Sequence, residues 1–226
     1  MKIIKIIVGI FCFSLIFCPR AFSESPDSSQ MFPPAAIFDD KMLLDGYAER
    51  FRQEPKHTLL EMIKDDTLNP IQMAAAVRVF RERFIQEVFT REKIIIEKIL
   101  IRRLNRTESA FVQVEIMHTL CLMDRYKYFK SMVPALIQKL DHYNAVVNAI
   151  AYDGLTNITS GHDKPREARI VFSTLRNVLF LSRKRLSNVK EPDERLTQKL
   201  KLLRWSIKIL GNEELKKLPK EVINLL

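Results

Sequence analysis

Apolar residues recur at helical spacing from about residue 39 almost to the end of the chain. Because an α-helix turns once in about 3.6 residues, this spacing places the apolar side chains along one side of each segment. The breaks between segments carry residues typical of helix ends: the cap residues Asn69, Thr90 and Thr107, and the glycines Gly161 and Gly211. The pattern predicts helices at 39–53, 56–66, 70–88, 91–105, 108–124, 132–141, 144–159, 165–188, 192–210 and 213–224.

The predicted helices are of two kinds, and the two kinds alternate along the first part of the chain. Segments 70–88, 108–124 and 144–159 hold dense apolar clusters, such as the run of residues 73–77. A helix that is apolar on nearly every side must be enclosed by its neighbours. The helices before these segments have one apolar and one polar face. In segment 132–141 the apolar face holds Val133, Leu136, Ile137 and Leu140. We therefore expect outer helices that cover inner ones.

Equivalent positions in the predicted helix pairs repeat along the chain. Near the ends of the outer helices lie Ile63, Leu104 and Leu140, and ten residues after each of them lie Met73, Val114 and Ile150. The steps between successive members are 41 and 36 residues. Helical repeats of roughly 40 residues are typical of α-solenoids, in which each repeat packs only on its neighbours.

The clearest repeat runs over residues 133–141 and continues at 144–147 and 151–155. It joins a proline-bearing outer helix, a short acidic turn and an inner helix with small residues. In these features the chain resembles the HEAT/armadillo-like family over residues 56–160, and best over 131–160. The resemblance implies an all-α fold, an α-solenoid of antiparallel helix pairs. The inner helix carries Asn148 near the position where the family has arginine, and an irregular helical bundle is the alternative arrangement.

Glycine is scarce, with five residues in a chain of 226. Phosphate-binding loops and tight hairpins use glycine because it adopts positive φ angles without strain. The scarcity therefore argues against nucleotide-binding α/β folds and against β-sandwiches. The hydrophobic content of 47% is enough to fill the core of a helical domain of this length.

The first 23 residues have the pattern of a secretory signal peptide. Lys2 and Lys5 precede an apolar run over 6–18, and small residues follow at 21–23. The run is shorter than the roughly 20 residues of a membrane-spanning helix. We expect cleavage after Ser23 and a secreted or periplasmic protein. The alternative is an uncut segment that anchors the chain in a membrane; lipoprotein anchoring through Cys18 is disfavoured, because a phenylalanine precedes it where lipoprotein signals carry a small residue.

Export would leave one cysteine, Cys121, so no intramolecular disulfide can form in the mature chain. Residues 24–38, rich in serine and proline, are predicted to be a flexible leader. We expect HEAT-like repeats over 39–163 and a basic helical hairpin with a tail over 164–226. The net charge of residues 164–226 is +9, whereas that of residues 24–163 is −2.

The basic residues of the C-terminal region form two rows at helical spacing. One row lies in the predicted helix 165–188 and contains Arg166, Arg169, Arg176 and Arg183. The other row lies in the predicted helix 192–210 and contains Lys201, Arg204 and Lys208. Guanidinium groups bind phosphate and carboxylate in bidentate fashion, so these residues are candidates for binding an anionic partner. The alternative interpretation is an ordinary hydrated helix face.

Few residues have the spacing that catalysis or metal binding requires. His118 and Cys121 are three residues apart in a predicted inner helix, as a thiol and its base would be, but a buried structural cysteine explains them better. His162-Asp163 has no neighbouring nucleophile. The acid pairs at 39–40 and 65–66 lie at predicted helix ends, where carboxylates commonly cap amides. We therefore predict no catalytic residue, metal site or cofactor.

The sequence favours an exported, non-enzymatic helical-repeat scaffold that binds a protein or an anionic envelope component. The alternative is an adaptor on a membrane surface, held by an uncut N-terminal anchor or by its cationic C-terminal helices. Aromatic residues that would stack on bases are sparse near the basic rows, which disfavours nucleic acid as a partner.

Overall fold

The computed structural model of the chain describes residues 34–123, 125–160 and 164–226. The predicted signal peptide, residues 24–33 of the predicted leader, Gly161 and the pair His162-Asp163 lie outside the described residues. Within them the chain is all-helical, about 80% helix and without strands, which confirms the predicted fold class at this level.

Ten α-helices and two 3₁₀ helices follow one another in the described residues. The α-helices are α1 Pro34–Phe51, α2 Lys56–Lys64, α3 Pro70–Phe84, α4 Thr90–Arg106, α5 Ala110–Leu122, α6 Arg125–Lys139, α7 Ala145–Thr159, α8 Pro165–Leu186, α9 Glu194–Leu210 and α10 Lys220–Ile223. The 3₁₀ helices are Ile85–Glu87 and Asn212–Lys217.

Contacts among α2 to α9 follow two parallel series. In one series α2 contacts α4, α4 contacts α6, and α6 contacts α8. In the other, α3 contacts α5, α5 contacts α7, and α7 contacts α9. Each helix of the first series also contacts the next helix of the chain, so that α2 packs on α3, α4 on α5, α6 on α7 and α8 on α9.

The burial of side chains agrees with the hydrophobic pattern. The run of residues 73–77 in α3 is buried along its whole length. In α6 the predicted apolar face is completely buried, whereas Gln138 on the other face is exposed. Helix α8 buries one stripe of side chains, which contains Ala168, Val171, Phe172, Leu175, Leu179 and Leu186. Removing these side chains from water is the main contribution that holds the helices together.

Several predicted helix bounds were wrong. Helix α1 begins at Pro34 and not at residue 39; proline is tolerated there because the first helical residue needs no N–H donor. Helix α6 begins at Arg125 and not at residue 132, and it contains Pro134 in its interior. Segment 213–224 is not one helix. A proline disfavours helical dihedral angles in the residue before it, and Leu218, which precedes Pro219, has an extended backbone.

The predicted helix caps were right in part. The Asn69 side chain accepts a hydrogen bond from the Ile71 N–H at 2.9 Å, with proline at the first helical position, as predicted. Thr90 and Thr107 do not occupy the N-cap positions. The N-cap residue of α4 is Phe89, and that of α5 is Ser109. Gly211 ends α9 with φ of 101°, a positive angle that favours glycine, although its ψ of 157° is extended and not left-handed helical.

Asn148 in α7 is a buried residue that joins neighbouring helices through hydrogen bonds. Its amide nitrogen donates to the Leu140 carbonyl at 2.6 Å, and its side chain exchanges two hydrogen bonds of 3.2 Å with Gln198. The first bond satisfies a carbonyl at the end of α6, and the other two join α7 to α9. Both amides are buried, so each needs these partners in place of water.

Candidate binding surface

Helix α8 presents six cations and one carboxylate, that of Glu167. The cations are Arg166, Arg169, Arg176, Arg183, Lys184 and Arg185. Arg166, Arg169, Lys184 and Arg185 are exposed, whereas Arg176 and Arg183 are half-buried. None of the six forms an ion pair with a carboxylate among the residues that the structure describes. We call these six residues the α8 basic row.

The two ends of the α8 basic row differ in their surroundings. At the N-terminal end, Arg166 and Arg169 line an open depression of about 450 Å³ with Pro165 and Ile170. At the C-terminal end, the Arg183 guanidinium lies 4.1 Å from the centre of the Phe180 ring, and its Nη1 donates to the Phe180 carbonyl at 3.1 Å. The N-terminal arginines are therefore open to a ligand, and Arg183 is held over an aromatic ring.

The second predicted row lies on α9, and one of its arginines forms hydrogen bonds with the backbone of the C-terminal segment. Lys201, Arg204 and Lys208 are all exposed. Arg204 donates from Nε to the Leu226 backbone oxygen at 2.9 Å and from Nη2 to the Leu225 carbonyl at 3.1 Å. Arg204 therefore holds the C-terminal segment against α9, a role that the sequence pattern did not indicate.

A buried charge network between α3 and α5 was missed by the sequence analysis. Glu115 is 5% exposed. Its Oε1 accepts from Arg78 at 2.6 and 2.9 Å, and its Oε2 accepts from Arg81 at 2.5 Å. Arg78 also donates to Asp45 at 2.6 Å. Glu115, the one carboxylate in the largely apolar helix α5, was the signal that could have found it, because a buried charge requires partners.

The pKa values in this network reflect burial and partner charges together. Loss of hydration acts to lower the pKa of Arg78, but its hydrogen bonds with Glu115 and Asp45 outweigh that effect and raise it. His118 lies beside the network, and its pKa is lowered, first by partial loss of hydration and then by the positive charge of Arg81. Burial and the neighbouring arginines therefore both disfavour the protonated imidazole of His118.

A second cationic cluster was also missed, at the C-terminal ends of α2 and α4. Arg103 is 7% exposed; its Nε donates to the Ile63 carbonyl at 3.0 Å and its Nη1 to Asp66 at 2.5 Å. Arg106 reaches the other oxygen of Asp66 at 3.3 Å. These residues border a cleft of about 240 Å³ that Lys64 and Arg102 also line. Arginines suit this place because they complement the negative ends of two helices.

The described residues that were candidates for catalysis or metal binding have structural contacts with their neighbours. A Cβ atom added at Gly154 would lie 2.7 Å from the Cys121 Sγ, so the half-buried cysteine lies at the close approach of α5 and α7. Asp65 accepts hydrogen bonds from the Thr67 hydroxyl and N–H, which lower its pKa, at the end of α2 as predicted. Among the residues described, no group of three or more His, Cys, Asp or Glu side chains has the geometry for a metal ion.

Of the helices that the structure describes, none is both long enough and apolar enough to cross a membrane. Comparisons of the chain with models of known protein families, with curated proteins and with solved structures found no significant match.

Proposed function

We propose that this protein is an exported, non-enzymatic scaffold of HEAT-like helix pairs that binds an anionic partner through the α8 basic row. The solenoid part of the proposal is supported by the two contact series, since stacking of successive helix pairs produces contacts between every second helix. Export is supported by the sequence pattern of residues 1–23.

The single observation that carries the binding proposal is the absence of described ion-pair partners along α8. Some cations elsewhere pair with carboxylates: Arg78 and Arg81 pair with Glu115, and Lys56 lies 3.0 Å from Glu92. On α8 six cations accompany one acid, and their mutual repulsion is not relieved by described carboxylates. A row of this kind attracts anions over several ångströms and binds phosphate, sulfate or carboxylate groups with good geometry.

Charge reversal tests whether binding is located on α8. The full chain and its variant Arg169→Glu/Arg176→Glu/Arg183→Glu are compared for binding to immobilised dextran sulfate. This flexible polyanion has no fold of its own, so it tests the recognition of negative charge alone. The matched control is Lys216→Glu/Lys217→Glu/Lys220→Glu, which changes the net charge equally in the same region. We expect the α8 variant to lose about tenfold or more in affinity, equivalent to one or two charged contacts, and the control to lose much less.

Two results would contradict the proposal. Equal losses in the α8 variant and in the control would show that net charge alone governs binding. Undiminished binding of the α8 variant, with unchanged helical circular dichroism, would place the binding surface elsewhere. The export step is tested separately by the intact mass of the exported protein: a chain that starts near Glu24 supports it, and one that retains residues 1–23 contradicts it.

A further inference from the structure

Two adjacent apolar side chains project from the middle of the α8 basic row. Leu181 is 84% exposed and Phe180 is 49% exposed. Leu181 is the most exposed large apolar side chain in the part of the chain that the structure describes. The same helix buries a separate stripe of apolar residues in the core, and Phe180 and Leu181 do not belong to that stripe.

Cations surround this apolar pair on the helix surface. Residues three or four positions apart are neighbours on a helix, so Arg176, Arg183 and Lys184 are neighbours of Phe180. By the same rule Lys184 and Arg185 are neighbours of Leu181. The Arg183 guanidinium already lies over the Phe180 ring at 4.1 Å. The patch is therefore an apolar centre with a cationic rim.

An anionic bilayer offers the two environments that such a patch needs, one next to the other. Lipid phosphates lie at the level of the cations, and acyl chains lie a few ångströms deeper, within reach of a projecting leucine and phenylalanine. Lysine and arginine have long apolar stems, so their charged ends can stay among the headgroups while the neighbouring apolar side chains insert. A polyanion in solution would satisfy the cations but would leave Leu181 in water.

We propose that α8 docks on an anionic lipid surface, with Phe180 and Leu181 inserted between the headgroups and the α8 basic row bound to the lipid phosphates. This inference rests on the proposed function, because it identifies the anionic partner of the same helix. It concerns docking parallel to the surface, since a helix with six cations is too charged to cross the bilayer.

Sedimentation with vesicles tests the insertion. The full chain is mixed with vesicles of phosphatidylcholine alone or of phosphatidylcholine with phosphatidylglycerol, and the partition coefficient is compared among three forms. These are the wild type, the variant Phe180→Ser/Leu181→Ser, and the control Leu122→Ser, which removes a side chain 56% exposed on α5. Residues 1–23 are common to all forms, so a difference in partition between the forms is caused by the substituted side chains.

We expect the wild type and the control to prefer vesicles that contain phosphatidylglycerol. The partition coefficient of the serine variant should be lower by a factor of about ten or more, because two inserted side chains are lost. Binding of the serine variant to dextran sulfate should stay at the wild-type level, because its cations are intact. Raising the salt concentration should weaken the binding of every form.

The outcomes separate this inference from the proposed function. If the wild type binds dextran sulfate but shows no preference for anionic vesicles, lipid docking is wrong and the anionic partner is a soluble one or a protein. If the serine variant binds anionic vesicles as the wild type does, insertion is wrong. If the wild type binds neither probe, the proposed function fails, and the lipid inference fails with it.

Discussion

The arginines of the α3–α5 contact and those of α8 belong to the same chain but have opposite surroundings. Arg78 and Arg81 face Glu115, whose side chain is only 6% exposed, and Arg78 also reaches Asp45. The six cations of α8 face no carboxylate among the described residues, and four of them are exposed. Both groups occur at helical spacing, but the α3–α5 arginines share a buried carboxylate and the α8 cations have no such described partner.

The difference shows how burial determines what a charge does. Taking an ion out of water costs several kcal/mol, about as much as its best pairing returns, so the buried Glu115 requires cationic partners, and this pairing holds specific helices together. An exposed cation keeps its hydration and has little effect on the fold. The α3–α5 arginines are therefore expected to contribute to stability, and those of α8 to binding. Glu115→Gln and a neutral triple variant of α8 test this division, and Glu97→Gln tests the effect of burial on a single charge.

The largest expected effect is that of Glu115→Gln. The neutral amide would leave Arg78 and Arg81 close together without their shared counter-charge, so we expect a loss of about 3 kcal/mol in the free energy of unfolding, the lower end for a broken buried pair. Chemical denaturation measures it. The control Glu61→Gln breaks an exposed pair with Lys64 and should change stability by less than about 0.5 kcal/mol. Equal effects of the two substitutions would refute the comparison.

A smaller effect is expected for the neutral variant Arg169→Gln/Arg176→Gln/Arg183→Gln. Because these cations have no described ion pair, the free energy of unfolding should change by less than about 1 kcal/mol, most of it from the stacking of Arg183 on Phe180. Stability should also depend less on salt than in the wild type, since repulsion along α8 is reduced. A loss comparable to that of Glu115→Gln would show that these arginines hold the fold.

The smallest effect concerns pH and Glu97, which is 4% exposed on α4 and whose Oε1 has no described partner. Burial raises the pKa of Glu97, and a hydrogen bond with Ser131 opposes part of the rise. The folded chain therefore holds the proton more tightly than the unfolded chain. The stability that this provides is complete below the ordinary pKa of 4.5 and is lost as the pH rises through the raised value.

Glu97→Gln removes the loss of stability that ionisation of the buried carboxyl causes. The thermal midpoint of the variant should therefore be higher than that of the wild type at pH 7, and the difference should shrink toward pH 4. Glu92 on the same helix is a control of opposite sign, because hydrogen bonds with Lys56 and with the Phe89 N–H lower its pKa. Glu92→Gln should lower the midpoint at neutral pH, and that difference should vanish in acid. The same pH profile for both variants would contradict the assignment.

Local features of the fold could be predicted from sequence because they depend on neighbours within one or two turns. The all-helical fold, the buried face of α6 and the cap at Asn69 all follow from spacing and side-chain type. Predictions failed where local signals competed. The periodicity does not reveal the first turns of α6, which lie before Pro134. After Gly211 it predicts one helix where the structure has a 3₁₀ helix and a short α-helix.

The candidate site divides in the same way. The positions of the arginines along α8 are a property of the sequence alone, and so is the excess of basic over acidic residues after residue 164. What faces each charge depends on residues far away in the chain. Arg78 and Glu115 are 37 residues apart, and Arg204 binds backbone oxygens 21 and 22 residues further on. The tertiary structure alone decided which cations are paired, because only the packing of distant helices brings such partners within hydrogen-bond distance.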